Sequence, residues 1–386
     1  MRTTSLNKKC RYCNELYHEK DSEHVFPKGL GGQDLYMDCV CEKCNNYFSG
    51  LERELYQKSI IALMRSTEGI VGYKASDKPA PFKAPILLTF DKENKIVYEV
   101  GQFHKMQVFI RPQIIQIKEE YYIEGDTDEG VKKFVEKFKS WMQTNLKIVT
   151  TYPKGVEDTT GFVKFKKEIQ GFSSNETEEK IKIKDEIILD LLPETHELFK
   201  FLNPRIFIDD DKKLRIRART VQEAVNFIIG FLNFTLEPRK LTSFTNGIHE
   251  HPVVYVGLSF NNLKSEQALV KIGLNCLMHY FTQIKDDEAL DICIEFIRKG
   301  SPSIRSEVAQ KNSIIDRNDG THNVFFCQVN NSVNIRISLF NGGFVYSFYI
   351  PDLKILQPYE YNRLIVDYKT RIHKFENQAD FFKSFT

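Results

Sequence analysis

The sequence predicts an α+β protein: a small zinc-stapled module at the N-terminus, followed by a larger mixed α+β body containing antiparallel sheets. Three observations carry this. Two Cys-x-x-Cys turns, Cys10–Cys13 and Cys41–Cys44, open the chain. Short runs of β-branched and aromatic residues recur between turn sequences such as Asn330-Asn331 and Asn341-Gly342-Gly343. Other stretches, among them 130–145 and 265–281, space their apolar residues as a helix does.

The first module rests on its thiols. A Cys-x-x-Cys turn presents two thiolates on one side of a tight loop, and two such turns supply the four soft ligands of a tetrahedral zinc. Cys10, Cys13, Cys41 and Cys44 are therefore the expected structural zinc ligands. Cys39 lies two residues before Cys41 and is the alternative, but Cys41-x-x-Cys44 has the knuckle spacing and runs directly into a helix expected over 45–66. Between the knuckles stand Glu23-His24, then Pro27 and Gly31-Gly32. Phe48, Leu51 and Leu55 follow helical spacing and read as packing, whereas Glu52 reads as a solvated or salt-bridged carboxylate.

Together, Cys10, Cys13, Glu23, His24, Pro27, Gly31, Gly32, Cys41, Cys44 and Asn45 resemble the four-cysteine branch of the HNH endonuclease family. The resemblance covers residues 5–58 or so. It implies a ββα-metal finger that hydrolyses DNA phosphodiester bonds. In it His24 is the general base, and Glu23 and Asn45 hold one catalytic Mg²⁺ or Mn²⁺. A histidine near its ordinary pKa suits proton abstraction at neutral pH, and a hard cation prefers oxygen ligands. Asn46 is the alternative to Asn45, and either asparagine alone would read as a helix N-cap. Two departures from the family pattern stand out. Glu23 occupies a position where Asp is commoner, and no Asn lies between His24 and Cys41, so Gln33 or Asp34 would have to support the loop that carries the base.

Beyond the module, prolines 79, 81 and 85 suggest an extended linker over 74–85. Strands are expected at 84–90, 96–100, 107–110, 114–118 and 121–124, then a helix at 130–145. The polar run 171–180 is the expected domain boundary, which gives domains of 1–66, 84–170 and 181–386. A helix at 193–202 precedes a hairpin, 205–208 with 212–219. In its second strand Lys213, Arg215, Arg217 and Arg219 alternate with apolar residues, and period two puts the four cations on one face, the best phosphate-contacting surface in the chain. A buried helix at 221–234 follows. His249 and His251 lie in a polar loop and are read as loop chemistry. A strand at 253–260, helices at 265–281 and 288–299, a three-stranded meander over 323–350, and a polar, partly helical tail complete the chain. Cys276, Cys293, Cys327 and His279 sit in apolar patterns and are expected in the core.

Composition sets limits. Lys and Arg number 54 against 52 Asp and Glu, and residues 1–60 carry nine of each sign, so any attraction for nucleic acid must come from local patches. No long apolar run suggests a membrane partner, the first residues are polar, and the cysteine usage fits a reducing cytoplasm. The expected arrangement is a catalytic finger whose C-terminal body selects a DNA target or trigger, in restriction or antiviral defence. Double-strand cutting would need a homodimer or a partner protein, and the sequence does not distinguish DNA from RNA. The alternative is a zinc-stapled nucleic-acid- or protein-binding module with a decayed site.

Overall fold

A computed structural model of the 386-residue chain describes residues 8–17, 23–70, 86–102, 108–144, 147–150, 160–168, 171–179, 187–209, 212–234, 253–258, 260–311 and 320–383. The expected linker 74–85 and the His249–His251 loop lie outside them. Two compact units emerge. One is Met1–Lys83, His104–Met106 and Leu258–Thr386; the other is Ala84–Phe103 with Gln107–Gly257. The first unit thus joins the two ends of the chain.

The N-terminal segment holds two short antiparallel hairpins, β1 (Lys8–Lys9) with β2 (Leu16–Tyr17) and β3 (Glu23–His24) with β4 (Tyr36–Met37). Helix α1 (Glu42–Lys58) follows, and α2 (Ile60–Thr67) breaks from it at Ser59. The break has a local cause: the extended Ser59 accepts the Ile61 N–H on its own hydroxyl, starting a new helix rather than continuing the old one.

The second unit begins with β5 (Ile86–Asp91), β6 (Ile96–Gln102), β7 (Val108–Ile110), β8 (Gln113–Ile117), β9 (Glu120–Glu124) and α3 (Asp128–Thr144). It continues with β10 (Lys147–Thr150), β11 (Thr160–Glu168), β12 (Gly171–Glu179), β13 (Ile187–Leu191), β14 (Arg205–Ile208), β15 (Leu214–Ala218), α4 (Val221–Phe234) and β16 (Val254–Gly257). Eight strands form one mixed sheet, in which β10, β13 and β15 run parallel. Strands β16, β5, β6 and β7 form a smaller sheet. Helices α3 and α4 cover one face of the large sheet, with Phe134, Phe138, Phe227 and Phe231 against Ile114, Ile206 and Ile216.

Two expectations fail here. The polar run 171–180 is no boundary, because Gly171–Glu179 pairs along its length with β11 and lies inside this unit. Nor is 193–202 an α-helix. It is a turn ending in one short 3-10 stretch, Phe199–Phe201, where the His196 imidazole takes the Leu198 N–H that a helix would have used.

The chain then returns to the first unit with α5 (Asn262–Tyr280), α6 (Asp291–Lys299), β17 (Ser306–Val308), β18 (Thr321–Val329), β19 (Ser332–Leu339), β20 (Phe344–Ile350), β21 (Tyr361–Asp367), β22 (His373–Asn377) and α7 (Gln378–Lys383). The strands make a six-stranded antiparallel sheet in the order β17-β20-β19-β18-β21-β22. The tail, expected to be polar and partly helical, supplies the helix α7 and also two strands, β21 and, at the sheet edge, β22. Polar residues disguise these two strands, and the pairing of β21 with β18 and of β22 with β21 makes them strands. Helix α5 is buried continuously from Gln267 to Met278. Gly273 lets it press on the sheet, since a Cβ there would sit 2.7 Å from Phe348 and 2.9 Å from Ile335. One apolar core runs through the unit, joining Tyr12, Phe26, Phe48 and Leu55 from the N-terminal segment to Leu274, Leu277, Phe326 and Phe348. Each such side chain contributes about 1.5–3 kcal/mol by burial. The N-terminal segment therefore takes much of its stability from residues more than two hundred positions away. No helix among the described residues is long and apolar enough to cross a membrane.

Candidate metal centre

The four expected thiols meet. The Sγ atoms of Cys10, Cys13, Cys41 and Cys44 all lie within 4.8 Å of one another, and Cys13 and Cys41 approach to 3.5 Å. A tetrahedral ion with bonds of about 2.3 Å needs thiolates about 3.8 Å apart, so the cluster can bind a structural metal such as zinc. Local geometry builds it. Asn14 closes the first knuckle at φ 60, a left-handed conformation that asparagine tolerates. The Cys41 N–H donates to Cys10 Sγ at 3.3 Å. Cys41 itself is the N-cap of α1, so neither Asn45 nor Asn46 has that role. The hydrogen bond from Cys44 pulls the Cys10 thiol below its ordinary range, and the same contact pushes Cys44 up, as in closely crowded thiols. Cys39 is outside the cluster, and burial pushes its thiol up to about 11.

The first knuckle is bolted to the C-terminal half of the unit. Arg11 donates to the carbonyls of Lys285 and Asp287 and pairs with Asp291 at 2.8 Å. Tyr12 packs edge-to-face on Phe48, with ring centroids 4.6 Å apart, and donates to Asn275 Oδ1 at 2.6 Å.

Glu23 is 3 % exposed. Its carboxylate takes a hydrogen bond from the fully buried ammonium of Lys271, which also reaches Glu52 Oε1 at 2.6 Å. Burial opposes the ammonium, but the two carboxylates outweigh it and hold Lys271 above its ordinary range. Burial raises Glu23, with Lys271 opposing. Glu23 is thus supplied with a cation by the protein. Of the expected Mg²⁺ or Mn²⁺ ligands, Glu23 is engaged by Lys271, and Asn45 is half-buried in α1. With the Lys271 ammonium on it, the Glu23 carboxylate is not free to take a divalent ion.

His24 lies on β3 opposite Tyr36, with the two rings 4.7 Å apart. Its Nε2 is buried without a hydrogen-bond partner among the described residues. Burial, reinforced by the Lys28 charge, pushes the imidazole down to about 4, well below the near-ordinary value expected of the base. The lysine nitrogen is 5.6 Å from the centroid of the Tyr36 ring, which is 39 % exposed. The His24 carbonyl accepts from Asn275 Nδ2 at 3.2 Å, and Val25 O accepts from Cys276 Sγ at 3.8 Å. Asn275, on α5, therefore reaches the main chain at the base, the support for which Gln33 or Asp34 was expected.

Lys271 and Asn275 were missed because they lie in a helix read as apolar. A signal was present: Gln267, Lys271 and Asn275 recur every four residues, a polar stripe in an apolar helix, and all three are buried. In the second unit the cationic strand face is already neutralised. Arg217 is buried and paired with Glu99 at 2.9 Å, Arg215 is paired with Asp190 and Asp209, and Arg219 with Glu223. Of the expected phosphate contacts, only Lys213 stands exposed without an ion pair among the described residues. Cys276 and Cys293 are core residues as expected, while Cys327 and His279 are partly exposed.

Comparison of the chain with protein-family models, curated proteins and solved structures finds no match.

Proposed function

We propose that the N-terminal segment is the hydrolytic part of an HNH-type endonuclease acting on DNA phosphodiesters, in restriction or antiviral defence, with the remainder of the chain selecting target or trigger. The observation that carries this is the placement of His24, half-buried on a strand between the cysteine knuckles, with an Nε2 that has no hydrogen-bond partner among the described residues. A neutral imidazole accepts a proton from a water molecule attacking phosphorus. The tetrathiolate cluster selects zinc, which is closed and holds the fold without entering the reaction.

A second reading is favoured by a specific observation. Lys271 fills the cation position at Glu23, as it would in a zinc-stapled binding module whose catalytic site has decayed. Catalysis assisted by Mg²⁺ or Mn²⁺ at Glu23 would require that pair to open. Supercoiled plasmid and a single-stranded RNA, each incubated with the full chain in Mg²⁺, Mn²⁺ or EDTA beside His24→Ala, separate the two readings. Nicking that disappears in the variant supports the hydrolase and identifies the nucleic acid. Equal product with both proteins, or none with either, leaves the binding module.

A further inference from the structure

We infer that Asn275 is a positioning residue for His24, so that the site is built jointly by the two ends of the chain. The inference rests on the reading of His24 as proton acceptor. Asn275 is fully buried and uses both ends of its amide: Oδ1 takes the Tyr12 hydroxyl at 2.6 Å, and Nδ2 donates to the His24 carbonyl at 3.2 Å. Tyr12 lies between Cys10 and Cys13, so one side chain links the thiolate knuckle to the imidazole's own peptide.

Two neighbours on the same helix extend the grip. Lys271, one turn earlier, bonds the Glu23 carboxylate, and Cys276 contacts the Val25 carbonyl. Three successive residues, 23 to 25, are thus each held by α5. The local ladder could not do this alone. Strand β3 is two residues long and pairs only through Glu23 with Met37 and His24 with Tyr36. An isolated hairpin of that size is marginal in water. Helix α5, buried and seated on the six-stranded sheet through Gly273, is the rigid body against which the imidazole is set.

The test uses the full chain with Asn275→Leu, which removes both hydrogen bonds, and Tyr12→Phe, which removes only the hydroxyl. Asn275→Ser, too short to span to His24, takes the place of the leucine variant should that fail to bind zinc. Bound zinc and thermal unfolding report folding, imidazole ¹⁵N resonances report His24, and plasmid nicking gives kcat and KM. The expected result is a displaced His24 resonance and a kcat lowered about tenfold at nearly unchanged KM, as small misplacements of a reacting group produce. Tyr12→Phe should move both in the same direction by less. Unmoved His24 resonances in zinc-loaded Asn275 variants, with only the unfolding temperature lowered, would overturn the inference. If the wild-type chain does not nick, the hydrolase reading fails, and the resonance alone decides whether Asn275 sets the imidazole.

Discussion

Replacing Lys271 by Met is the most informative single perturbation of the first unit. The lysine side chain is fully buried, and its partners Glu23 and Glu52 are 4 % and 14 % exposed. Methionine fills similar volume but leaves two carboxylates facing each other without a cation. Removing one partner of a buried ion pair costs about 3–5 kcal/mol, because the charge left behind is neither solvated nor compensated. For a unit of this size that corresponds to a fall of roughly 10 °C in the unfolding temperature. The deficit should depend on pH in a definite direction. Glu23 already titrates above its ordinary range, and without Lys271 it rises further. In the variant the folded chain therefore binds protons that the unfolded chain does not, and its deficit relative to the wild type shrinks as pH falls from 8 toward 5. Calorimetry at several pH values reads both effects. Combining Lys271→Met with Glu23→Gln and Glu52→Gln removes every charge and should restore most of the loss. A fall under about 2 °C in the single variant, or a triple variant no more stable than the single, would refute the account of a charge triad.

Four further outcomes follow from the same geometry. Adding Mn²⁺ should raise the unfolding temperature of Lys271→Met but not of the wild type, measured by scanning fluorimetry, if an opened Glu23–Glu52 pair accepts a divalent ion. One equivalent of zinc, measured by a colorimetric chelator, should be lost from Cys10→Ser, Cys13→Ser, Cys41→Ser and Cys44→Ser and kept in Cys39→Ser. Acid should destabilise the first unit: His24 titrates near 4, and burial holds His322, whose Nδ1 accepts the Phe340 N–H, near 3. Unfolded histidines take up their proton near 6.5, so stability is complete above that value and falls as pH drops toward 4; His322→Asn should flatten the slope in urea titrations. In the second unit, Arg217→Met should cost about 3–5 kcal/mol by stranding Glu99.

Local chemistry was legible in the sequence because it depends on close spacing. The choice of Cys41 over Cys39 followed from knuckle spacing, and the thiols cluster accordingly. Helix α4 and the meander β18–β20 lie where apolar periodicity and Asn-rich turns put them. The alternation of Arg215 and Arg217 with Leu214 and Ile216 correctly assigned each side chain to a face. Only the tertiary structure decided what lies over that face, and it supplies Glu99, Asp190 and Asp209 there rather than solvent. The same holds at the N-terminus. Glu23-His24 announced a polar site, but the residues that set its charge and hold its backbone, Lys271 and Asn275, come from nearly 250 positions further on. Periods of two and 3.6 residues encode which side chains share a surface. They carry no information about which distant surface packs against it, and here that packing fixes the protonation and position of the imidazole.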